Sequence, residues 1–381
     1  MLWLKNISNY MEENSNNKKK IMFLITGSEI GGAEIVVKNI IFNLDYEKFL
    51  PIFVSIRPLG KIGEEIGRRC KAVSLDVNKK FNLLFLWKLY KIIKHEEIDI
   101  LHCHLFHANL IGRIIGKISG VPFIISTIHT DNFGSDLRYF LLKITDFLGD
   151  KTIVVSQKIK DELIKRKIVA PDKIKVIYNG VAENKKIVTE DELNKKKEYL
   201  KIEKNYPIIL SVGRLNKIKG HIYLIKALNI LKIKYPNLRL LLIGDGPEKK
   251  ILENKIGQLG LSKNILFLGE IRDLDIYYQL SDIFVLPSIN EGFGLSVVEA
   301  MSNKLLAIAT RVGGVPEIIE EGISGYMANP EDENSIAHVI DRILNLNEEE
   351  KKVIINNAYL NFKSKFSLEK MISNYESLYL S

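Results

Sequence analysis

Thirteen short apolar runs, rich in Ile, Leu and Val, punctuate the chain and are separated by longer stretches of helical periodicity. In the first half they fall at residues 21–26, 50–56, 72–77, 98–103, 122–128, 152–156 and 174–178. In the second half they fall at 208–212, 238–243, 265–268, 283–286, 305–309 and 325–328. Most are nearly continuous rather than alternating, as strands are when both faces of a parallel sheet are covered. The intervening segments are long enough for crossover helices, so the pattern predicts α/β architecture. It occurs twice, and 381 residues are too many for one ordinary core.

A break separates the repeats. Between residues 183 and 204, 13 of 22 residues are charged, which reads as a linker and a surface helix. The expected organisation is a basic arm over 1–20, a first domain over 21–184 and a second over 185–360. The final segment, 361–381, has no strand after it and is free to pack back on the first domain. Two doubly wound, Rossmann-like domains of this kind open the carboxyl ends of their strands onto a central cleft, where such sheets bind ligands.

Lys plus Arg number 55 against 46 Asp plus Glu, a net charge of +9 that calls for an anionic partner. No helix-turn-helix, zinc-finger spacing or aromatic RNA platform accompanies the charge, so nucleic acid is excluded. Cys70 and Cys103 can build neither a disulfide framework nor a four-thiolate site, and they fit a reducing cytosol. No run reaches the roughly 18–20 apolar residues of a membrane span. The opening residues turn polar too soon for a signal peptide, so the expected location is cytoplasmic. Residues 78–94 hold five Lys, four aromatics and no acid. They read either as an interfacial helix dipping Trp87 and Phe85 into lipid, or as a crossover helix with its apolar stripe on the sheet. With the basic arm, the first reading makes the anionic inner face of the cell membrane a candidate partner.

The sharpest motif is Glu291-Gly292-Phe293-Gly294-Leu295-Ser-Val-Val-Glu299, which follows the run at 283–286 and enters a helical pattern. Glu291 therefore sits in a loop at a strand's carboxyl end, and Glu299 about one turn into a helix. Glycines there let backbone approach a ligand, and the helix start offers amides to an anion. A carboxylate one turn in can accept two hydrogen bonds from a vicinal diol such as a ribose, though acids near a helix start are favoured in any case. Arg214 and Lys219, five apart on a glycine-bounded loop after the first strand of the second domain, make a diphosphate clamp of planar fork and point charge. Gly244-Asp-Gly-Pro-Glu248 reads as a tight turn opening a helix, with Pro near its first position. In the first domain Gly27-Ser-Glu-Ile-Gly31-Gly32-Ala-Glu34 lies between strand and helix. It lacks the G-x-G-x-x-G spacing of a dinucleotide site, which counts against a dehydrogenase.

These motifs, with Val312-Gly-Gly-Val-Pro-Glu317 after them, resemble in type and order those of glycosyltransferase family 4, over nearly the whole chain from Ile21. The resemblance implies the GT-B fold, a retaining mechanism and a nucleotide-sugar donor, with UDP the expected nucleotide. It implies that Arg214 and Lys219 hold the donor diphosphate, Glu299 the ribose and Glu291 the hydroxyls of the transferred sugar. Gly292, Phe293, Gly294 and Leu295 complete that loop. His129, in Ser126-Thr-Ile-His-Thr130, would face the donor sugar, and the amides of Gly31 and Gly32 its phosphate.

Developing charge on a leaving diphosphate can be neutralised by Arg214, Lys219 and helix amides, so neither metal nor cofactor is expected. The one Asp-x-Asp, Asp273-Leu-Asp275, reads as first-turn acids of a helix. No carboxylate nucleophile is evident, which favours same-face attack with the leaving phosphate taking the acceptor's proton. His102, His104 and His107 sit at a strand end where neighbours alternate faces, so only His102 and His104 share one. They read as structural, with His104 a candidate acceptor contact, rather than as a metal site. The expected activity is hexosyl transfer to a glycan or lipid-linked acceptor in cell-surface polysaccharide or glycolipid assembly. A GT-B sugar-nucleotide epimerase and a non-catalytic nucleotide-sugar-binding subunit are the alternatives.

Overall fold

A computed structural model describes residues 18–381 except 78–82, 131, 185, 187, 204 and 272. Each of the thirteen apolar runs contributes a strand. They are β1 (Lys19–Ile25), β2 (Phe49–Ser55), β3 (Lys71–Ser74), β4 (Ile100–His104), β5 (Phe123–Ile128), β6 (Lys151–Val154) and β7 (Ile174–Val176), then β8 (Ile208–Val212), β9 (Arg239–Ile243), β10 (Ile265–Gly269), β11 (Ile283–Leu286), β12 (Leu306–Thr310) and β13 (Tyr326–Ala328). The sheets run β3-β2-β1-β4-β5-β6-β7 and β10-β9-β8-β11-β12-β13, and their pairings are parallel. Strand order reverses between β1 and β4 and between β8 and β11. At such a point the outgoing loops diverge and leave a crevice at the strands' carboxyl ends.

The sheets are covered on both faces, as continuous apolar strands require. In β1, Met22 and Leu24 join the core beneath the helix Leu84–Glu96, while Phe23 on the opposite face meets the ring of Tyr379 at 6.4 Å. Along that helix Phe85, Leu89 and Ile93 recur every four residues and are buried. This corrects the lipid-dipping role for Phe85, which the helical period turns toward the sheet. Trp87 is 58% exposed and carries Lys91 Nζ 3.5 Å from its ring centre. Lys79, Lys80, Phe81 and most of the basic arm lie outside the described residues.

The chain divides into two compact units, one running to Tyr178 and including Met371–Ser381, the other Asn179–Lys370. The two segments near the ends of the second unit bind each other. Val181 N–H donates to Phe366 O (3.0 Å), and Leu368 N–H donates to Val181 O (2.8 Å). Phe366 in turn packs edge-on against Phe293 with 5.6 Å between ring centres. Residues 190–199 form the surface helix, capped by Thr189 and Glu192 and burying none of its side chains.

The last helix, Leu368–Leu380, docks in the first unit by polar as well as apolar contacts. Glu376 accepts from the Asp45 amide (2.7 Å), and Lys19 Nζ donates to Tyr379 O (2.8 Å). Tyr379 OH lies 2.7 Å from His102 Nδ1, and Thr127 Oγ1 lies 2.7 Å from His102 Nε2. Nearby, Arg113 is fully buried, bonding to Ser126, Leu142 O and Thr152 with Asp146 at 3.6 Å. Tyr379→Phe strands His102 Nδ1 in a buried setting. It should cost about 1–3 kcal/mol, read from the urea midpoint of the first unit.

Candidate functional site

In the second unit the loop after β8 is latched by its neighbour after β9. Leu215 N–H donates to Asp245 O (2.9 Å), and Glu248 N–H donates to Leu215 O (3.0 Å). The Gly244–Glu248 motif thus supports the Arg214 loop. Pro247 stands ahead of the helix Lys249–Gln258 rather than in its first turn, because the chain is still completing that latch. The Arg214 side chain is exposed. Asn216 then caps the short turn Lys217–Lys219, its side chain accepting from Lys219 N–H (3.1 Å).

Two glycines bring the remaining loops together. Gly220 has φ +64°, and a Cβ there would strike Pro287 O, so Lys219 is delivered beside the end of β11. Gly313 has φ +53° and leaves no room for a Cβ against Glu291 O, which seats the Val312–Gly314 loop behind Glu291. At this meeting of the β8 and β11 loops, Lys219 Nζ donates to Glu291 Oε1, and Ser288 Oγ donates to the same oxygen at 2.8 Å. The pair spans the point where strand order reverses. The sequence assigns Ser288 no role; the structure reveals it as the carboxylate's second anchor.

The helix Leu295–Ser302 begins at Gly294 and carries Glu299 in its second turn, where Glu299 Oε2 accepts from Tyr278 OH (2.9 Å). Burial raises the Glu299 carboxyl above its usual range, against the lowering effect of the Tyr278 bond. The Tyr278 hydroxyl is pushed well up, by burial and by the carboxylate it faces. Phe293 is buried against Phe366, so its backbone rather than its ring is what the loop can offer a ligand. Asp273 pairs with Lys186 (2.7 Å), and Asp275 opens the helix Asp275–Leu280.

The first unit presents a second group of side chains at the ends of β1, β4 and β5. Gly31 precedes the helix Gly32–Asn43, and the Glu34 carboxylate folds back against it, its pKa raised by burial. His104 Nδ1 and His129 Nε2 are 3.1 Å apart, and the His104 ring stands 4.1 Å from that of His102. Burial pushes His129 down to about 4 and His102 down to about 3, and holds His104 well below its usual value. All three imidazoles are therefore neutral at physiological pH. Leu105, next to them, is held at φ +71°, a conformation that costs a non-glycine residue about 1–3 kcal/mol and turns the chain from β4 into the helix Phe106–Ile118. A pocket of about 260 Å³ opens here, lined by Phe106, His107, Asn109, His129 and Arg138 among others.

Comparison with known proteins assigns both units. The profile described as Glycosyltransferase Family 4 matches residues 30–185, and that described as Glycosyl transferases group 1 matches 192–360. An uncharacterized glycosyltransferase of Methanocaldococcus jannaschii is 33% identical over 321 residues, covering 79% of this chain and 82% of its own.

The chain belongs to glycosyltransferase family 4.

Another relative of this family 4 chain is an Escherichia coli protein, 27% identical over 321 residues with 82% and 81% of the two chains covered. It is named UDP-Gal:alpha-D-GlcNAc-diphosphoundecaprenol alpha-1,3-galactosyltransferase. A crystal structure of a glycosyltransferase from Rickettsia africae superposes with a TM-score of 0.83 at 25% identity, over 95% of this chain and 98% of that one. The fold is GT-B and the protein is a glycosyltransferase.

These neutral imidazoles, His102 and His104 buried and His129 half-buried, should make this glycosyltransferase acid-labile. For His129 the ordinary value of 6.5 falls to about 4 on folding. Its contribution to stability is complete above pH 6.5 and is lost as pH falls through 4, at about 1.4 kcal/mol per pH unit in between. Urea midpoints measured from pH 7.5 downward should fall below pH 6.5, and His129→Gln should flatten the decline.

Proposed function

We infer that this family 4 chain is a retaining hexosyltransferase. It moves a sugar from a nucleotide-diphosphate donor, by preference a UDP-sugar, to a hydroxyl of a glycan or lipid-linked acceptor in cell-surface polysaccharide or glycolipid assembly. The observation that carries this reading is the Lys219–Glu291–Ser288 cluster at the β8/β11 reversal, with Glu299 on the helix that follows. The relative named for UDP-Gal and a diphosphoundecaprenol-linked sugar supports both the donor and the acceptor class.

In this mechanism Arg214 and Lys219 neutralise charge building on the departing diphosphate. The amides of Gly292, Phe293, Gly294 and Leu295, at the start of the helix, add their dipoles. Glu299 takes the ribose hydroxyls. Glu291, held by two donors through one oxygen, keeps the other for hydroxyls of the transferred sugar, which makes it an orienting group rather than a nucleophile. Attack then proceeds on the face from which the phosphate leaves, and that phosphate takes the acceptor's proton. Within the first unit His104 orients His129, and a neutral His129 can donate one hydrogen bond to a sugar hydroxyl.

Among the described residues no helix is long and apolar enough to cross a membrane. Exposed Leu83, Leu84 and Trp87, beside Lys88 and Lys91, support peripheral contact with an anionic membrane at the cytoplasmic face.

Lys219→Ala and Glu291→Ala should each lower turnover by about a hundredfold, the scale of one lost transition-state contact. Near-normal turnover in both would refute the assignment. UDP or its sugars at about 100 times Kd should add roughly 2.7 kcal/mol to stability, and Glu299→Ala should lose that gain. Turnover should survive a chelator. Conversion of the lone donor to an isomer would instead establish the epimerase.

A further inference from the structure

The pocket at the ends of β4 and β5 lies wholly in the first unit, and none of its described lining residues carries a carboxylate. Its floor is aromatic: the Phe106 and Phe133 rings stand 6.3 Å apart. Arg138 is held in place from two sides. Its Nη1 donates to Phe133 O (3.0 Å), and its guanidinium carbon sits 5.1 Å from the centre of the Phe106 ring. One of five N–H donors is thereby used, leaving the outer edge of the fork unspent. His107 packs edge-on against the same Phe106 ring (5.2 Å) and has no hydrogen-bond partner among the described residues. Burial lowers its pKa, and Arg138 and Arg57 lower it further, so the three groups share one electrostatic neighbourhood. Arg57 lies along the loop after β1, its Cδ 3.7 Å from where a Cβ on Gly27 would stand.

Deeper in the same pocket Asn109 is 1% exposed. Its Nδ2 donates to Thr127 O (3.0 Å), which fixes the amide's orientation, and its Oδ1 is buried without a partner. A buried acceptor left unmatched costs about as much as a lost hydrogen bond, so this oxygen calls for an incoming O–H donor. The pocket thus offers an aromatic floor, an unmatched acceptor at depth and the Arg138 guanidinium.

We propose that this pocket binds a sugar bearing a phosphoryl group, with Asn109 Oδ1 receiving a sugar hydroxyl and Arg138 and His107 receiving the phosphoryl oxygens. The inference rests on the transferase reading only in identifying the ligand as the acceptor. A planar fork beside an imidazole able to take up a proton matches a compact dianion better than a neutral glycan. The shared chemistry is a phosphorylated sugar. Its source is either a soluble sugar phosphate or the diphosphate head of a polyprenyl-linked sugar.

The test follows the His107 ring by NMR in full-length protein labelled at histidine, with His107→Gln to assign the signal. α-D-Glucose 1-phosphate should shift the His107 signal, and methyl α-D-glucoside, its uncharged counterpart, should bind at least tenfold more weakly. Arg138→Gln should weaken the phosphate probe about ten- to a hundredfold, the range for a lost charge-assisted contact, while leaving the weak glucoside binding unchanged. A polyprenyl diphospho-sugar in detergent micelles, run beside the soluble probe, assigns the source by which binds more tightly. Equal binding of glucoside and phosphate, an unmoved His107 signal, or an Arg138→Gln variant that binds like the parent would overturn the proposal. Repeating the titration with UDP present separates this site from any phosphate site on the second unit. Failure of UDP to bind while His107 still responds would break the donor reading and leave this one standing.

Discussion

A parallel sheet covered on both faces has almost nowhere to put a polar side chain except at the ends of its strands. Most features of chemical interest in this glycosyltransferase obey that constraint. The Arg214–Gly220 loop leaves β8, Ser288 and Glu291 leave β11, and the histidines gather where β4 and β5 end. His102, on β4, is the informative exception. A group so placed cannot carry charge, and it is tolerated because both ring nitrogens find hydroxyl partners, Tyr379 and Thr127.

Strand order then selects which ends matter. In each sheet the loops on either side of the reversal part company, and the residues lodged there are neighbours in space though distant in sequence. Lys219 and Glu291 are 72 positions apart, and their pairing depends on backbone approaching backbone at Gly220 and Gly313 as much as on charge. The ion pair is partly buried, with side-chain exposures of 25% and 10%. Its two members hold one another in a fixed arrangement.

Much of this was legible in the chain itself. Continuous apolar runs located thirteen strands, because burial on both faces leaves an unmistakable composition. The Arg-Lys loop and the two-glutamate motif were legible because glycines and charges at strand ends have few structural uses. What escaped was whatever depends on contacts between remote segments. Nothing in the sequence marks Arg113 as a fully buried cation tied to Asp146, Ser288 as an anchor for Glu291, or Tyr278 as the partner of Glu299. The short pairing of Val181 with Ser367 carries no local signature either. Phe85 was ambiguous because an amphipathic crossover helix and an interfacial helix share one period, and only the packed sheet distinguishes them.

The final helix gives the chain an order of assembly. Residues Met371–Ser381 belong to the unit that the amino-terminal half begins, so that unit encloses the other as an insertion in the chain. On the ribosome the sheet β1–β7 emerges first but must wait, its face around Phe23 and Phe49 uncovered, while the whole second unit is made. Only with residues 371–381 do Tyr375 and Tyr379 arrive to close it. A chain lacking residues 371–381 would therefore carry an intact second unit and an unfinished first one, so that losing a late segment damages a sheet made much earlier.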